Sequence, residues 1–194
     1  AQPKSADPDA GTLGVAAACD LTGYTTHAET LSPAVTIPDS TPSGVVFGPL
    51  ATSANGTIFQ DVVLELTLSH TWIGDIVVTL SYDSNCDGQP EDSTRVLCRT
   101  GRGDCWTGGG FGSSKDFVCT ETLTFSDSAA VDISGGASPI PTGCYLPTGA
   151  GAGSLSVFIG WASGGCWRVN VSDHSAFDIG TVCAWAVHTR DEIG

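Results

Sequence analysis

The sequence predicts an all-β fold, a jelly-roll-like antiparallel β-sandwich with an extended N-terminal arm. Three observations predict it. Short runs alternate apolar with polar residues and are separated by Gly, Ser, Asp and Pro, as in strands joined by turns. No stretch carries the longer period of an amphipathic helix. Glycine is abundant, 25 of 194 residues, while only 14% of residues are charged, and a chain of this length buries one core.

The elements follow in order. Residues 1–36 are Ala- and Thr-rich and poor in large apolar side chains, so they read as an extension that cannot fold alone. Within it Gly11-Thr-Leu13-Gly-Val15-Ala-Ala17 alternates weakly, as a strand does. Two uses fit this arm. Cys19 offers a disulfide tether to the chain's own body. Alternatively, the arm adds as a strand to the open sheet edge of a neighbouring copy, which needs backbone donors rather than bulky side chains. A head-to-tail contact of that kind propagates into a filament.

The body is expected over residues 37–190, with 191–194 a tail. Ile58 to Leu68 reads as a strand with Val62, Leu64, Leu66 and Leu68 on one face and Val63, Glu65 and Thr67 on the other. Trp72 and Gly74-Asp75 make a turn, and Ile76 to Ser81 is the next strand. Phe117 to Phe125 and Ser154 to Gly160 are further strands. Cys166–Asp173 and Thr181–Val187 read as a closing β-hairpin, with Trp167 and Trp185 meeting in the core. Eight or nine strands in this order make a sandwich.

Composition excludes several functions. Seven basic against 21 acidic residues give a net charge of −14. Nucleic acid and anionic membrane surfaces would repel such a chain. No apolar run approaches 18 residues, so no membrane insertion is expected. Eight cysteines without a C-x-x-C pair point to four disulfides and a secreted, extracellular protein, with zinc the minor alternative. Ala1-Gln2-Pro3 and the lack of methionine read as a processed start. Cys86–Cys98 and Cys105–Cys119 are the expected local pairs. Cys19, Cys144, Cys166 and Cys183 then staple the arm and the closing strands to the body. Direct pairing of Cys166 with Cys183 is not expected, because a hairpin turning near residue 176 sets Cys183 opposite a residue near 170.

The chemistry points to calcium before catalysis. Asp83-Ser-Asn85-Cys-Asp87-Gly88-Gln-Pro-Glu91 places Asp83, Asn85 and Asp87 at alternate positions, with a glycine for the sharp turn and Glu91 to close the shell. Hard oxygen ligands on a flexible loop are what Ca²⁺ takes, whereas Mg²⁺ demands stricter geometry. A tight acidic turn without metal is the plainer reading. No His-Glu-x-x-His or Gly-x-Ser-x-Gly occurs, and His27, His70, His174 and His188 are scattered. His70 reads as a structural histidine. Asn55-Gly-Thr57 and Asn170-Val-Ser172 are possible glycosylation acceptors. Arg102-Gly103-Asp104 lies between two cysteines, and matches of three residues arise by chance.

Several landmarks occur together in one order. They are Ile37-Pro-Asp-Ser, Val62 to Leu80 with the Gly74-Asp75 turn, Leu123-Thr-Phe-Ser-Asp127-Ser-Ala-Ala, Gly143-Cys-Tyr145-Leu-Pro147 and the Cys166–Val187 segment. In that order they resemble the P domain of proprotein convertases, which also occurs in secreted bacterial proteins. The resemblance covers roughly residues 37–190, without a protease domain. Residues 83–120 are longer and richer in cysteine than the family's loop, and residues 1–36 match nothing in it. In such a fold the Gly74-Asp75 turn and the Asp173–Asp178 turn meet at one end. That would bring Asp75, Asp173 and Asp178 together for a second cation, with Asp127 an alternative ligand, unless each aspartate caps its own turn.

The function expected is a non-catalytic, calcium-stabilised extracellular subunit whose partners are other copies of itself, assembled into a fibre or surface appendage. The alternatives are a secreted adhesive or carbohydrate-binding module, with glycans as partners and Trp106 or Trp161 as contacts, or the accessory P domain of a subtilisin-like protease.

Overall fold

In a computed structural model, residues 16–53, 56–106, 112–135 and 137–192 are described. Among them nine strands form two packed sheets: β1 (Thr25–Ile37), β2 (Thr41–Ala51), β3 (Thr57–His70), β4 (Ile76–Asp83), β5 (Asp92–Cys98), β6 (Leu123–Phe125), β7 (Gly143–Tyr145), β8 (Cys166–Asp173) and β9 (Gly180–Glu192). One sheet runs β1-β9-β3-β6-β7 and the other β2-β8-β4-β5. All pairings are antiparallel except β6 with β7.

The core lies between the sheets, and the alternation of each strand puts it there. Val62, Leu64, Leu66 and Leu68 of β3 are buried, as their spacing requires. Val78, Leu80 and Tyr82 of β4 and Trp167, Val169 and Val171 of β8 face them from the other sheet. Trp167 packs 4.7 Å from Tyr82 and edge-on at 5.0 Å to Phe158, by ring centroids. Each large apolar side chain so buried stabilises the fold by about 1.5–3 kcal/mol.

Five features depart from the sequence reading. The closing strands are not a hairpin, because β8 lies in the four-stranded sheet and β9 in the five-stranded one. Each is apolar enough to be central in its sheet, so the chain crosses the sandwich at residues 174–179. Cys166 and Cys183 are not bonded to each other: Cys166 pairs with Cys86 and Cys183 with Cys119. Ser154–Gly160 is no strand: Leu155–Phe158 is a 3₁₀ turn whose amides at Leu155 and Ser156 donate to the Asp127 carboxylate. Of Phe117–Phe125 only Leu123–Phe125 is strand, with Phe117 forming a lone bridge to His70.

The expected bounds at 36 and 191 fall within strands. β1 begins at Thr25 and pairs with β9 along its own body, and β9 runs to Glu192. β1 succeeds without large side chains because it is an edge strand whose backbone bonds to β9 supply its order. Residues 1–15, with the strand-like Gly11–Val15, lie outside the described residues.

The disulfides are Cys19–Cys144, Cys86–Cys166, Cys98–Cys105 and Cys119–Cys183. The expected Cys86–Cys98 and Cys105–Cys119 pairs are therefore wrong. Cys86 sits in the β4–β5 turn, beside the end of β4 where Asp83 faces Cys166 of β8. Cys98, at the far end of β5, meets Cys105 instead. The tether expected of Cys19 is present.

The sheet edges are blunted in four ways. β1 carries Pro33 and a bulge between Thr30 and Val35. β2 carries Pro42 and Pro49 with two register breaks. The edge of β5 is covered by residues 148–153, where Cys98 N donates to Thr148 O and Gly153 N to Arg95 O. The edge of β7 meets the arm, Cys144 N donating to Ala17 O at 2.8 Å. Covered or irregular edges resist unwanted strand pairing.

Candidate functional site: two acidic regions at the ends of β4

Asp75 precedes β4 and Asp83 ends it. The two carboxylates are thus separated by an eight-residue strand, about 25 Å.

At the Asp83 end the loop closes on itself. Asp83 is fully buried. Its Oδ1 accepts from Asp87 N at 3.2 Å and its Oδ2 from Gly88 N at 2.7 Å. Arg168 Nη1 of β8 donates to the same Oδ2 at 2.9 Å. Asn85 Oδ1 also accepts from Asp87 N, at 2.9 Å. One amide thus lies within reach of two nominated ligand oxygens. Asn85 Nδ2 in turn donates to Asp87 Oδ2 at 3.1 Å. Gly88 has φ of 95°, a conformation open to glycine without strain. Burial works to raise the Asp83 pKa, but Arg168 and the amides of Gly88, Asp87 and Cys86 outweigh it and hold the carboxyl below its ordinary value.

Asp83 and Asn85 converge on the Asp87 amide, and Asn85 bonds the Asp87 carboxylate. These are oxygen donors of the kind Ca²⁺ takes, but both Asp83 oxygens are engaged by backbone amides and Arg168, and among the described residues no group of three His, Cys, Asp or Glu side chains is placed to hold a metal ion. Glu91 does not join them. Its carboxylate takes the backbone amide and hydroxyl of Ser84 at 2.7 and 2.8 Å. Cys86, bonded to Cys166, ties the loop to β8.

At the Asp75 end the carboxylates are met by guanidinium groups. Asp75 is fully buried in the 3₁₀ turn Ile73–Asp75. Its Oδ1 lies 3.8 Å from Arg99 Nη2 and 3.7 Å from Arg102 Nη2. Among the described residues neither of its side-chain oxygens has a hydrogen-bond partner. Burial and the neighbouring Asp173 carboxylate push Asp75 up to about 6, against the pull of Arg102, His70 and Arg99. Asp173 takes His70 Nε2 at 3.3 Å and the Ser175 amide at 2.9 Å. His70 is 1% exposed and its Nδ1 lies 2.9 Å from Trp72 O, so the structural reading of this residue holds.

Asp178 is not brought onto Asp75. Its Oδ1 accepts from Thr71 Oγ1 at 2.8 Å. Two arginines already balance Asp75 and Asp173, so this set does not fit a divalent cation. The sequence reading missed Arg99, Arg102 and Arg168. Their signal was scarcity: in a chain with seven basic residues, arginines beside buried carboxylates are expected to be paired.

The remaining nominated residues fall elsewhere. Asp127 caps the 3₁₀ turn. Asn170 lies on the outer face of β8 as expected, but its Nδ2 donates to Ser43 O at 2.9 Å, which engages the atom a glycan would join. Asn55 lies outside the described residues. Arg102 of the Arg-Gly-Asp triplet is 9% exposed and turned toward Asp75. Ser172 Oγ stands 3.0 Å from His174 Nε2, a pair the sequence did not announce. Ser172 is 2% exposed, which denies a substrate access to its hydroxyl.

Fold and site define a β-sandwich braced by four disulfides, the state an oxidising, extracellular setting produces. Among the described residues no helix is long and apolar enough to cross a membrane. No family model matches the chain, and no curated protein matches it. A solved structure of the Aeromonas sobria serine protease in complex with its chaperone is 12% identical, with a TM-score of 0.44. The match covers 86% of this chain and 26% of that one, so the chain spans about a quarter of the length of the solved chain.

Proposed function

We propose that the chain is a non-catalytic, secreted structural subunit of P-domain type that assembles with copies of itself into a fibre or surface appendage, stiffened by calcium. The observation that carries this reading is the course of the arm. Residues 16–19 run along the β7 edge, held by the Ala17–Cys144 backbone bond and the Cys19–Cys144 disulfide. The first described residue, Ala16, therefore stands at a fixed point beside a sheet edge, and the proposed donor segment Gly11–Val15 lies outside the described residues. A fixed departure point raises the effective concentration of a donor strand at a neighbour.

The acceptor in this reading is the outer edge of β1 over Thr25–Thr30, the part of β1 before its bulge. Asp83, Asn85 and Asp87 would hold the calcium. The ion supplies charge and fixed geometry to a loop that contributes no side chain to the core. The burial of Ser172 and His70 supports the absence of catalysis.

Gel filtration and negative-stain microscopy test this, on the whole chain and on a chain lacking residues 1–18, with calcium and with chelator. Assemblies that vanish on deletion and weaken in chelator are expected. Assembly that survives the deletion defeats strand donation, and globules in every condition defeat the reading as a whole.

A further inference from the structure

The outer face of the four-stranded sheet differs from the rest of this acidic molecule. Register places Thr79 opposite both Arg95 and Asn170, and Ser81 opposite both Ser93 and Arg168. These two rows hold three hydroxyls, one amide and two guanidinium groups, with no carboxylate, in a chain carrying 21 acidic residues.

A groove of about 300 Å³ opens on this face, lined by Thr79, Ser93, Thr94, Arg95, Trp106 and the glycines at 151 and 153. Trp106 is 52% exposed, while Trp72, Trp167 and Trp185 are buried. Its backbone is anchored on both sides. The Trp106 amide donates to Asp104 Oδ1 at 2.9 Å, and its carbonyl accepts from Arg99 Nη1 at 3.4 Å. The preceding residue is locked in the Cys98–Cys105 disulfide. An exposed indole held this firmly is a platform rather than a loose surface side chain.

Arg95 completes the groove. Its guanidinium carbon lies 4.6 Å from the Trp106 ring centroid. Arg99 and Arg102 face Asp75, and Arg168 faces Asp83. Arg95 makes no ion pair among the described residues. The ring pre-orients the guanidinium, which leaves its donors in a fixed fork that matches a carboxylate. Gly153 keeps the floor low, since a Cβ there would stand 2.5 Å from Thr94 Oγ1.

We infer that this groove binds a carboxylated sugar, a uronate residue of an acidic polysaccharide. The exposed part of the indole, beyond its contacts with Arg95 and with the His174 ring at 5.4 Å between centroids, receives the apolar face of the sugar ring, the threonine and serine hydroxyls exchange hydrogen bonds with its hydroxyls, and Arg95 takes the carboxylate. Hydroxyl lining beside one flat aromatic ring favours a sugar over a peptide, because Trp106 is the one large apolar side chain among the described residues that line the groove. This site is independent of the assembly reading and survives its failure.

Titration of the full chain with tetragalacturonate, followed by tryptophan fluorescence, tests the site. Maltotetraose and tetraglutamate serve as the neutral and the non-sugar probes. Saturable binding of tetragalacturonate is expected, with both comparison probes at least tenfold weaker. Trp106→Ala is expected to abolish it, measured by calorimetry because the reporter is lost. Arg95→Gln should lower affinity about tenfold and remove the preference over maltotetraose, while Arg95→Lys retains part of it. Both side chains sit on the surface, so unchanged melting temperatures separate lost binding from lost folding. Equal binding of tetraglutamate, an unaffected Arg95→Gln variant or no binding by the wild type overturns the inference.

Discussion

The two ends of β4 solve the same problem in opposite ways. Asp83 and Asp75 are both carboxylates with no exposed surface. Asp83 is satisfied mostly by its own loop, through amides four and five residues away, with Arg168 added from β8. Among the described residues no such amide bonds Asp75. It depends on two guanidinium groups 3.7–3.8 Å away, supplied by the segment after β5. A carboxylate bonded to amides keeps its charge easily and its pKa falls. A carboxylate that is desolvated and merely near a cation holds its charge at a cost, and its pKa rises. Burial alone therefore does not decide the protonation state of an aspartate; the donors within bonding distance do.

Breaking the cationic side of the Asp75 cluster should have the largest effect. Arg99→Met leaves a buried anion short of a partner, and unfolding in urea at pH 8 should show a loss of up to about 5 kcal/mol. At pH 5, where Asp75 holds its proton, the same substitution should cost far less. An equal loss at both pH values would mean that Arg99 acts through packing and not through Asp75.

At the other end, removing the Cys86–Cys166 bridge frees a loop with a sequence separation of 80 residues. The Cys86→Ser/Cys166→Ser variant should lose about 4 kcal/mol. It should also bind calcium less tightly if the loop is a metal site. A loss in stability without any change in calcium response would separate the brace from the site.

The pH dependence of the wild type sharpens the contrast. The Asp75 pKa is raised from 3.8 to about 6 in the folded protein. Between these values the folded state holds a proton that the unfolded state has released. Its contribution to stability is full below pH 4 and is lost as pH rises through 6, a change of about 3 kcal/mol. Asp75→Asn should flatten that slope in thermal unfolding from pH 4 to 8. The depressed Asp83 works in the other sense, losing its contribution only as pH falls below the ordinary carboxylate range.

The smallest effect is expected at Gly88. A Cβ there meets nothing within 4 Å, yet φ is 95°, so Gly88→Ala should cost only backbone strain, about 1 kcal/mol by differential scanning calorimetry. A larger loss would show that the Asp83–Gly88 amide bond had broken as well.

The contrast also separates what was readable from what was not. The turn over Asp83–Gly88 was legible because its hydrogen bonds are local, and a spacing of alternate polar residues with a following glycine favours one turn. Glu91 stands apart from the other three because Ser84, seven residues back, offers two donors to its carboxylate. The Asp75 cluster was only half legible. The meeting of Asp75 with Asp173 follows from the landmark order, but the arginines come from a cysteine-rich insertion whose path no periodicity reveals. The disulfides were countable and not pairable, since pairing depends on which strand ends become neighbours.

The sequence by itself determined a two-sheet β protein, because alternation along β3, β4, β8 and β9 commits each strand to one buried face whatever its neighbours are. It also determined the number of sulfur bridges and the local curl of residues 83–88. Only tertiary structure decided that β8 and β9 part into different sheets, that residues 25–36 bond to their own body and that Arg99 and Arg102 close over Asp75. Those outcomes rest on contacts between residues far apart in the chain, and a side chain's pattern records which face it buries but not what it meets there.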